Sequence, residues 1–272
     1  MRINIFKNIF DRLFNRPKLL NIRYKTGRGK PVILLHGIAS NSSIWDETIT
    51  YIDTNKYQVI AMDLLGFGDS PKPSKNDYSL EEQAKQVAYT VKKNKIKKPV
   101  LVVGHSLGAL VALEIASNKI LKASKLILCS PPIYLPGDYG SISSEYKKTD
   151  RAKSNVYFAL YETIANKPKV SLNTAKRVAN KFSGFILTPE TWLPFKQSLL
   201  NAINNQNSLN QLKNIKTKTT IIFGKLDLFV IPKYYKESAK NNKNISVESF
   251  TGSHNISTKF SKIIAKNINQ TK

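Results

Sequence analysis

A serine between two glycines is the first group in this sequence that could act as a nucleophile. It lies in Gly104-His105-Ser106-Leu107-Gly108, after an apolar run and before a helix of small residues. This context predicts a strand, a sharp turn and a helix, which together expose the serine hydroxyl. A side chain two residues either side would collide with so tight a turn, and glycine avoids this. The N–H groups at the start of the helix would stabilise negative charge that develops there. We therefore predict Ser106 as a nucleophile.

A serine hydroxyl needs a base, and the chain has three histidines. His105 lies inside the predicted turn, where its side chain cannot also face the hydroxyl. His36 belongs to the loop after the first core strand. The remaining one, His254, directly follows the last predicted strand, and we predict that it is the base.

The base needs a carboxylate on its second ring nitrogen, to fix its tautomer and stabilise the imidazolium. Asp227 lies just past the penultimate predicted strand, and we predict that it orients His254. Asp63 is an alternative at the end of the second core strand, although its surroundings resemble a structural loop. The position after the strand that follows the serine reads Cys129-Ser130 and offers no carboxylate.

An acyl-transfer site also needs two N–H donors for the oxyanion. We expect one from Leu107, the residue after the nucleophile, and one from Ile38, in the loop after the first core strand. In this loop, His36 and Gly37 are expected to shape the backbone rather than bind a ligand. No cluster of His, Asp and Glu has the spacing of metal ligands, so neither a metal nor another cofactor is predicted.

Apolar strand-sized runs alternate with helical patterns over residues 31–130, and the alternation returns over 219–267. This order predicts an α/β fold with a mostly parallel central sheet and helices on both faces. The segment between is helical in texture and rich in aromatic side chains: Tyr134, Tyr139, Tyr146, Tyr157, Phe158, Tyr161, Phe182, Phe185, Trp192 and Phe195. These side chains could line an apolar acyl or alkyl pocket, or form the core of the segment itself.

Five motifs together resemble the α/β-hydrolase fold family, in the group of esterases, C–C bond hydrolases and cofactor-free peroxidases. They are His36-Gly37, the loop 63–70, the serine motif 104–108, Gly224 to Asp227 and Gly252 to His254. The resemblance covers about residues 31–270 and implies a helical cap at 131–210 that interrupts the hydrolase core at 19–130 and 211–272. The sequence pattern predicts a basic amphipathic N-terminal helix at 1–18 before this core.

The resemblance also implies an activity, with a small-molecule ester or related acyl compound as substrate. Haloalkane dehalogenases and epoxide hydrolases of the family use Asp as nucleophile, and Ser106 argues against both. We expect carboxylic-ester hydrolysis through an acyl-enzyme. C–C bond hydrolysis, acyl transfer and perhydrolysis use the same triad and remain alternatives. A non-catalytic scaffold at a membrane surface is the alternative from another class.

The net charge of +25, from 43 Lys and Arg against 18 Asp and Glu, favours anionic partners. The lysines are spread along the chain and no nucleic-acid motif is present, so no specific nucleic-acid partner is expected. Residues 1–18 place three pairs, each of Ile or Leu followed by Phe, on one helix face between basic residues. This helix is therefore expected either to dock on the core or to contact an anionic membrane.

The single cysteine, Cys129, excludes an internal disulfide and is expected to be a buried small hydrophobe rather than a reactive thiol. The apolar stretches are too short to span a membrane, and the N-terminus lacks the continuous apolar core of a secretory signal. We therefore expect a cytoplasmic location, with membrane association through residues 1–18 as the alternative.

Overall fold

The computed structural model of the chain describes residues 17–97, 99–134, 172, 173, 176 and 185–271. Its seven strands are β1 (Ile22–Gly27), β2 (Lys30–Leu35), β3 (Tyr57–Met62), β4 (Val100–His105), β5 (Ala123–Cys129), β6 (Lys218–Gly224) and β7 (Ile245–Phe250). They form one sheet in the order β1-β3-β2-β4-β5-β6-β7. Only β1, at one edge, runs antiparallel to its neighbour, and the other strands are parallel.

The described helices are α1 (Asp46–Thr50), α2 (Leu80–Lys93), α3 (Leu107–Ser117), α4 (Pro189–Ser198), α5 (Ser208–Asn214), α6 (Pro232–Asn241) and α7 (Thr258–Asn269). A 3-10 turn at Ser42–Trp45 precedes α1, and a π-helical segment at Leu199–Asn204 follows α4. Side chains fix the starts of α2 and α7, where Ser79 accepts from the Glu82 N–H and Ser257 accepts from the Phe260 N–H. None of the helices in the described part of the chain has the length and hydrophobicity to span a bilayer.

The sheet separates two hydrophobic cores, because successive side chains of a strand point to opposite faces. In β2, Ile33 and Leu35 pack with residues of α2 and α3. Val32 and Leu34 pack on the opposite face, against residues of α7. Strands buried on both sides explain why the sequence shows continuous apolar runs here rather than alternation. The predicted fold class is therefore confirmed.

The predicted division into parts stays a prediction. The N-terminal helix, apart from residues 17 and 18, and the aromatic residues from Tyr139 to Phe182 lie outside the described residues. Within 131–134 and 185–210, the described residues form helices and no strand. The predicted end of the cap, residue 210, lies inside α5, and α5 packs against α3 of the core.

Candidate active site

Ser106 lies in a sharp turn between β4, which ends at His105, and α3, which begins at Leu107. Its φ is +52° and its ψ is −119°, a backbone conformation that residues other than glycine rarely adopt. Two backbone hydrogen bonds maintain it, from the Ser106 N–H to the Cys129 carbonyl (2.9 Å) and from the Ala109 N–H to the Ser106 carbonyl (2.9 Å). Strain of this kind is typical of functional sites.

The two glycines of the motif are needed for close backbone packing. A Cβ on Gly104 would lie 2.1 Å from the carbonyl oxygen of Gly108, and one on Gly108 would lie 2.3 Å from the carbonyl oxygen of Leu35. The sequence argument expected glycines to avoid a collision in the tight turn, and the groups that a Cβ would meet are backbone atoms. The two glycines let the start of α3 approach β4 and the end of β2. Gly37 is the glycine beside the serine, since a Cβ there would lie 3.1 Å from that of Ser106.

The structure brings His254 and Asp227 together. Nδ1 of His254 and Oδ2 of Asp227 are 2.8 Å apart, and the other carboxylate oxygen accepts the Phe229 N–H at 2.8 Å. Asp227 is fully buried. Burial by itself raises the pKa of this carboxyl, but the charge and hydrogen bond of His254 outweigh it and the pKa is lowered. Asp227 is therefore a carboxylate, and Nε2 of His254 remains for proton transfer.

Two further residues hold His254, and the sequence argument did not identify their contacts. The His105 ring lies 4.8 Å from the His254 ring, and its Nε2 lies 2.8 Å from the His254 carbonyl oxygen. Burial, reinforced by His254, lowers the pKa of His105 to about 3, so this ring is neutral. Phe229 packs on His254 with ring centroids 4.7 Å apart. Its position two residues after an aspartate is typical of an Asx turn, a signal the sequence did contain.

Ser106 and His254 line the same cavity, which has a volume of about 270 Å³. Its apolar walls are Ile38, Ile44, Phe185, Phe229 and Ile256. Ile38, the predicted oxyanion donor, thus lines the same cavity as Ser106. Leu107 follows the serine at the start of α3, where N–H groups have no acceptor within the helix. Of the described aromatics in the predicted cap, Phe185 lines this cavity, whereas Trp192 and Phe195 stack on each other.

His36 is buried and holds the loop after β2. Its Nδ1 donates to the Gly37 carbonyl at 2.7 Å, and its Nε2 accepts the Leu64 N–H at 2.8 Å. Burial lowers its pKa to about 4, so the ring is neutral and uses both nitrogens. This geometry suits the loop-shaping role predicted for His36.

Asp63, the alternative acid, accepts hydrogen bonds from residues other than His254. Its carboxylate accepts the N–H and hydroxyl of Ser42 at 2.7 and 2.6 Å, and the Asn21 amide and Asp69 N–H at 2.9 Å each. Burial raises the pKa of this carboxyl, but these hydrogen bonds outweigh it and the pKa is lowered. The carboxylate that contacts His254 is Asp227. Within the described ranges, no group of His, Cys, Asp and Glu could hold a metal ion.

Similar proteins are found by sequence and by structure. A curated relative from Arabidopsis thaliana, named probable lysophospholipase BODYGUARD 4, is 35% identical over 112 residues, which are 41% of this chain and 27% of the relative. The match therefore spans about a quarter of that relative's length. A solved membrane phospholipase A, described as a bacterial virulence factor, superimposes with a TM-score of 0.65 at 18% identity, over 92% of this chain and 84% of that one.

A solved meta-cleavage product hydrolase from Pseudomonas fluorescens IP01 superimposes with a TM-score of 0.63 at 18% identity, over 93% of this chain and 95% of that one. At such identities, solved structures show a shared fold alone. The family model for the alpha/beta hydrolase fold matches residues 30–258, which is most of the chain. The resemblance predicted from the motifs is confirmed: the chain belongs to the alpha/beta hydrolase fold family.

Proposed function

We propose that this chain is a serine hydrolase of carboxylic esters, with Ser106 as nucleophile, His254 as general base and Asp227 as the orienting acid. One observation carries the proposal. A buried carboxylate lies 2.8 Å from Nδ1 of a histidine that shares a cavity with a serine in a strained turn. A triad is recognised by this geometry and by the roles it allows.

In the proposed reaction, Nε2 of His254 takes the hydroxyl proton as Ser106 attacks the ester carbonyl. The N–H groups of Ile38 and Leu107 hold the oxyanion of the tetrahedral intermediate. His254 then returns a proton to the leaving alcohol, which leaves an acyl-enzyme. A water molecule, deprotonated by His254, attacks the acyl-enzyme and frees the acid. Throughout, Asp227 stabilises the imidazolium form of His254.

The cavity walls favour an apolar acyl group. Ile44, Phe185, Phe229 and Ile256 supply hydrophobic surface next to Ser106. The volume of about 270 Å³ is near the lower end for ligand pockets, roughly 300–1,000 Å³. The described part of the pocket therefore suits the acyl portion of an ester. Ester lipids are a fitting substrate class, because the relatives include proteins named as a probable lysophospholipase and a phospholipase.

The test compares hydrolysis of p-nitrophenyl esters, from acetate to palmitate, by the wild type and by Ser106→Ala. We expect turnover to fall by about 10³-fold or more in Ser106→Ala, because the nucleophile is lost. Ser74→Ala, which changes an exposed serine, is the matched control and should retain full turnover. The chain length with the highest kcat/KM would then size the acyl site.

A fluorophosphonate probe separates the alternatives. We expect one adduct, located on Ser106 by mass spectrometry of the digested protein. An adduct on Ser106 without ester turnover would support a reactive triad but not ester hydrolysis. It would favour C–C bond hydrolysis, acyl transfer or perhydrolysis as the reaction. If neither an adduct nor turnover is found, the chain is a non-catalytic scaffold and the proposal is wrong.

A further inference from the structure

Two leucines stand exposed on either side of the buried acid. Leu226 is 65% exposed and Leu228 is 49% exposed, while Asp227 between them is fully buried. They lie in the loop from β6 to α6, at the edge of the sheet where the parallel strands end. Single exposed leucines are common on protein surfaces, but a contiguous apolar patch marks an interaction site.

Contacts place this loop next to the cavity that contains Ser106, because Phe229 of the loop lines that cavity. The Leu226 N–H donates to the Gly252 carbonyl at 3.0 Å, which joins it to the loop that carries His254. Phe229, which follows Leu228, packs on both His254 and Phe185.

A third exposed apolar residue follows Phe185, which lines the cavity. Ile186, the residue after it, is 48% exposed. The Ile186 N–H donates to the Ala39 carbonyl at 2.5 Å, in the loop that also contains Ile38. Exposed apolar side chains therefore come from two of the segments that line the cavity, next to Phe185 and Phe229.

The charges in the two segments that carry the leucines and His254 are mostly basic, whereas Ile186 shares a separate surface depression with Lys72 and Glu190. Residues 225–233 and 251–259 carry Lys225, Lys233 and Lys259, and their one acidic residue is Asp227. Lys233 lies 3.9 Å from Glu237 of the same helix, so its charge is partly compensated. Because Asp227 is buried and paired with His254, it presents no negative charge to the outside. A partner that matches both the leucines and the lysines is apolar within and negatively charged at its surface, as an anionic bilayer is.

We infer that this surface, which we name the rim (Lys225, Leu226, Leu228, Lys259 and Ile186), docks on anionic lipid. The three apolar side chains enter the boundary between headgroups and acyl chains, and the lysines lie among the phosphates. The mouth of the cavity then faces the membrane, so an ester lipid passes into the site without crossing water. The lipid ester as substrate rests on the proposed function, whereas docking itself requires no turnover.

The first test is sedimentation of full-length Ser106→Ala protein with vesicles of phosphatidylcholine, alone or mixed with phosphatidylglycerol. This background leaves the lipid intact. Adding Leu226→Ser and Leu228→Ser should lower the partition coefficient on mixed vesicles by about tenfold or more, since apolar surface no longer leaves water. Leu19→Ser changes a leucine that is 51% exposed in the segment before β1, and should leave the coefficient unchanged.

The charge contribution is tested separately. Lys225→Gln and Lys259→Gln should each weaken binding to mixed vesicles by about fivefold, because a basic side chain near an anionic surface contributes about 1 kcal/mol. Binding to phosphatidylcholine alone should not change. Circular dichroism of every variant checks that the fold is retained.

A second measurement locates the contact. Leu228→Cys carries a polarity-sensitive fluorophore, and the native Cys129 is buried and will not compete for the label. We expect a blue shift with mixed vesicles, and none from the same fluorophore at Leu19→Cys. Equal partition of the rim and Leu19 variants, a loss of binding only on deletion of residues 1–18, or an unshifted Leu228→Cys emission would each overturn the inference. Docking of the Ser106→Ala protein, combined with no ester turnover by the wild type, would instead refute the proposed function and leave the rim assignment standing.

Discussion

Acid should destabilise this protein through His36 in a way that a single substitution removes. The ring is buried, donates from Nδ1 to the Gly37 carbonyl and accepts the Leu64 N–H at Nε2. A proton added to Nε2 would face the N–H that this nitrogen now accepts. Protonation must therefore either break the hydrogen bond between His36 and Leu64, which joins the loops after β2 and β3, or occur only in the unfolded chain.

The sign and size follow from proton linkage. The pKa of His36 is lowered from 6.5 to about 4, so between these values the unfolded chain binds a proton that the folded chain does not. The contribution of neutral His36 to the free energy of unfolding is therefore fully present above pH 6.5 and declines as the pH falls toward 4. From about pH 7 to about pH 5, His36 should remove roughly 2 kcal/mol from the free energy of unfolding. His105, with its pKa lowered to about 3, should remove a similar amount.

The assay is urea denaturation at both pH values, followed by circular dichroism, for the wild type and His36→Gln. Glutamine can still accept the Leu64 N–H but does not titrate. We expect the loss of unfolding free energy on acidification to be smaller by roughly 2 kcal/mol in His36→Gln. Asp63 and Asp227 have pKa values lowered from 3.8, so they titrate mainly below this pH window. Their contribution to the acid-induced loss of stability should therefore be nearly equal in the wild type and in His36→Gln.

An equal acid-induced loss in both proteins would refute the reasoning, whatever the stability of His36→Gln near neutral pH. It would mean that the folded protein accommodates a charged ring at this position. His105→Gln offers an independent measurement, because its side chain lies in the other loop system, against the His254 carbonyl.

Three further predictions concern the triad, the turn and the thiol. Asp227→Asn should lower kcat for ester hydrolysis by about 10³–10⁴-fold with little change in KM, and Asp77→Asn, at an exposed aspartate, should not. Gly108→Ala places a Cβ 2.3 Å from the Leu35 carbonyl oxygen, so we expect urea denaturation to show a loss of about 2 kcal/mol or more. Burial raises the pKa of Cys129, so a thiol reagent should produce colour only after urea unfolds the chain.

Each of these has a contrary result. Retained turnover in Asp227→Asn would remove this residue from the mechanism. A fully stable Gly108→Ala would show that α3 can move away from β2. Rapid reaction of Cys129 in the folded protein would contradict its burial.

Features that depend on neighbouring residues could be read from the sequence. The turn at Ser106 needs only a strand, two close-packing glycines and a helix in succession, and these lie within a short stretch of chain. The strands β2 to β5 were recognisable because strands buried on both faces need continuous apolar runs. Asp227 and His254 could be predicted because each directly follows a strand of a parallel sheet, and such strands end at one edge.

Features that depend on distant segments required the folded chain. Whether Asp63 or Asp227 contacts a histidine depends on which side chains of remote loops surround each carboxylate, and Ser42 and Asn21 surround Asp63. The hydrogen bond from His105 to the His254 carbonyl joins residues separated by 149 positions. Likewise, no sequence pattern predicts that Leu226 is exposed while the neighbouring Asp227 is buried. The packing of the surrounding loops determines which of the two side chains is excluded from water.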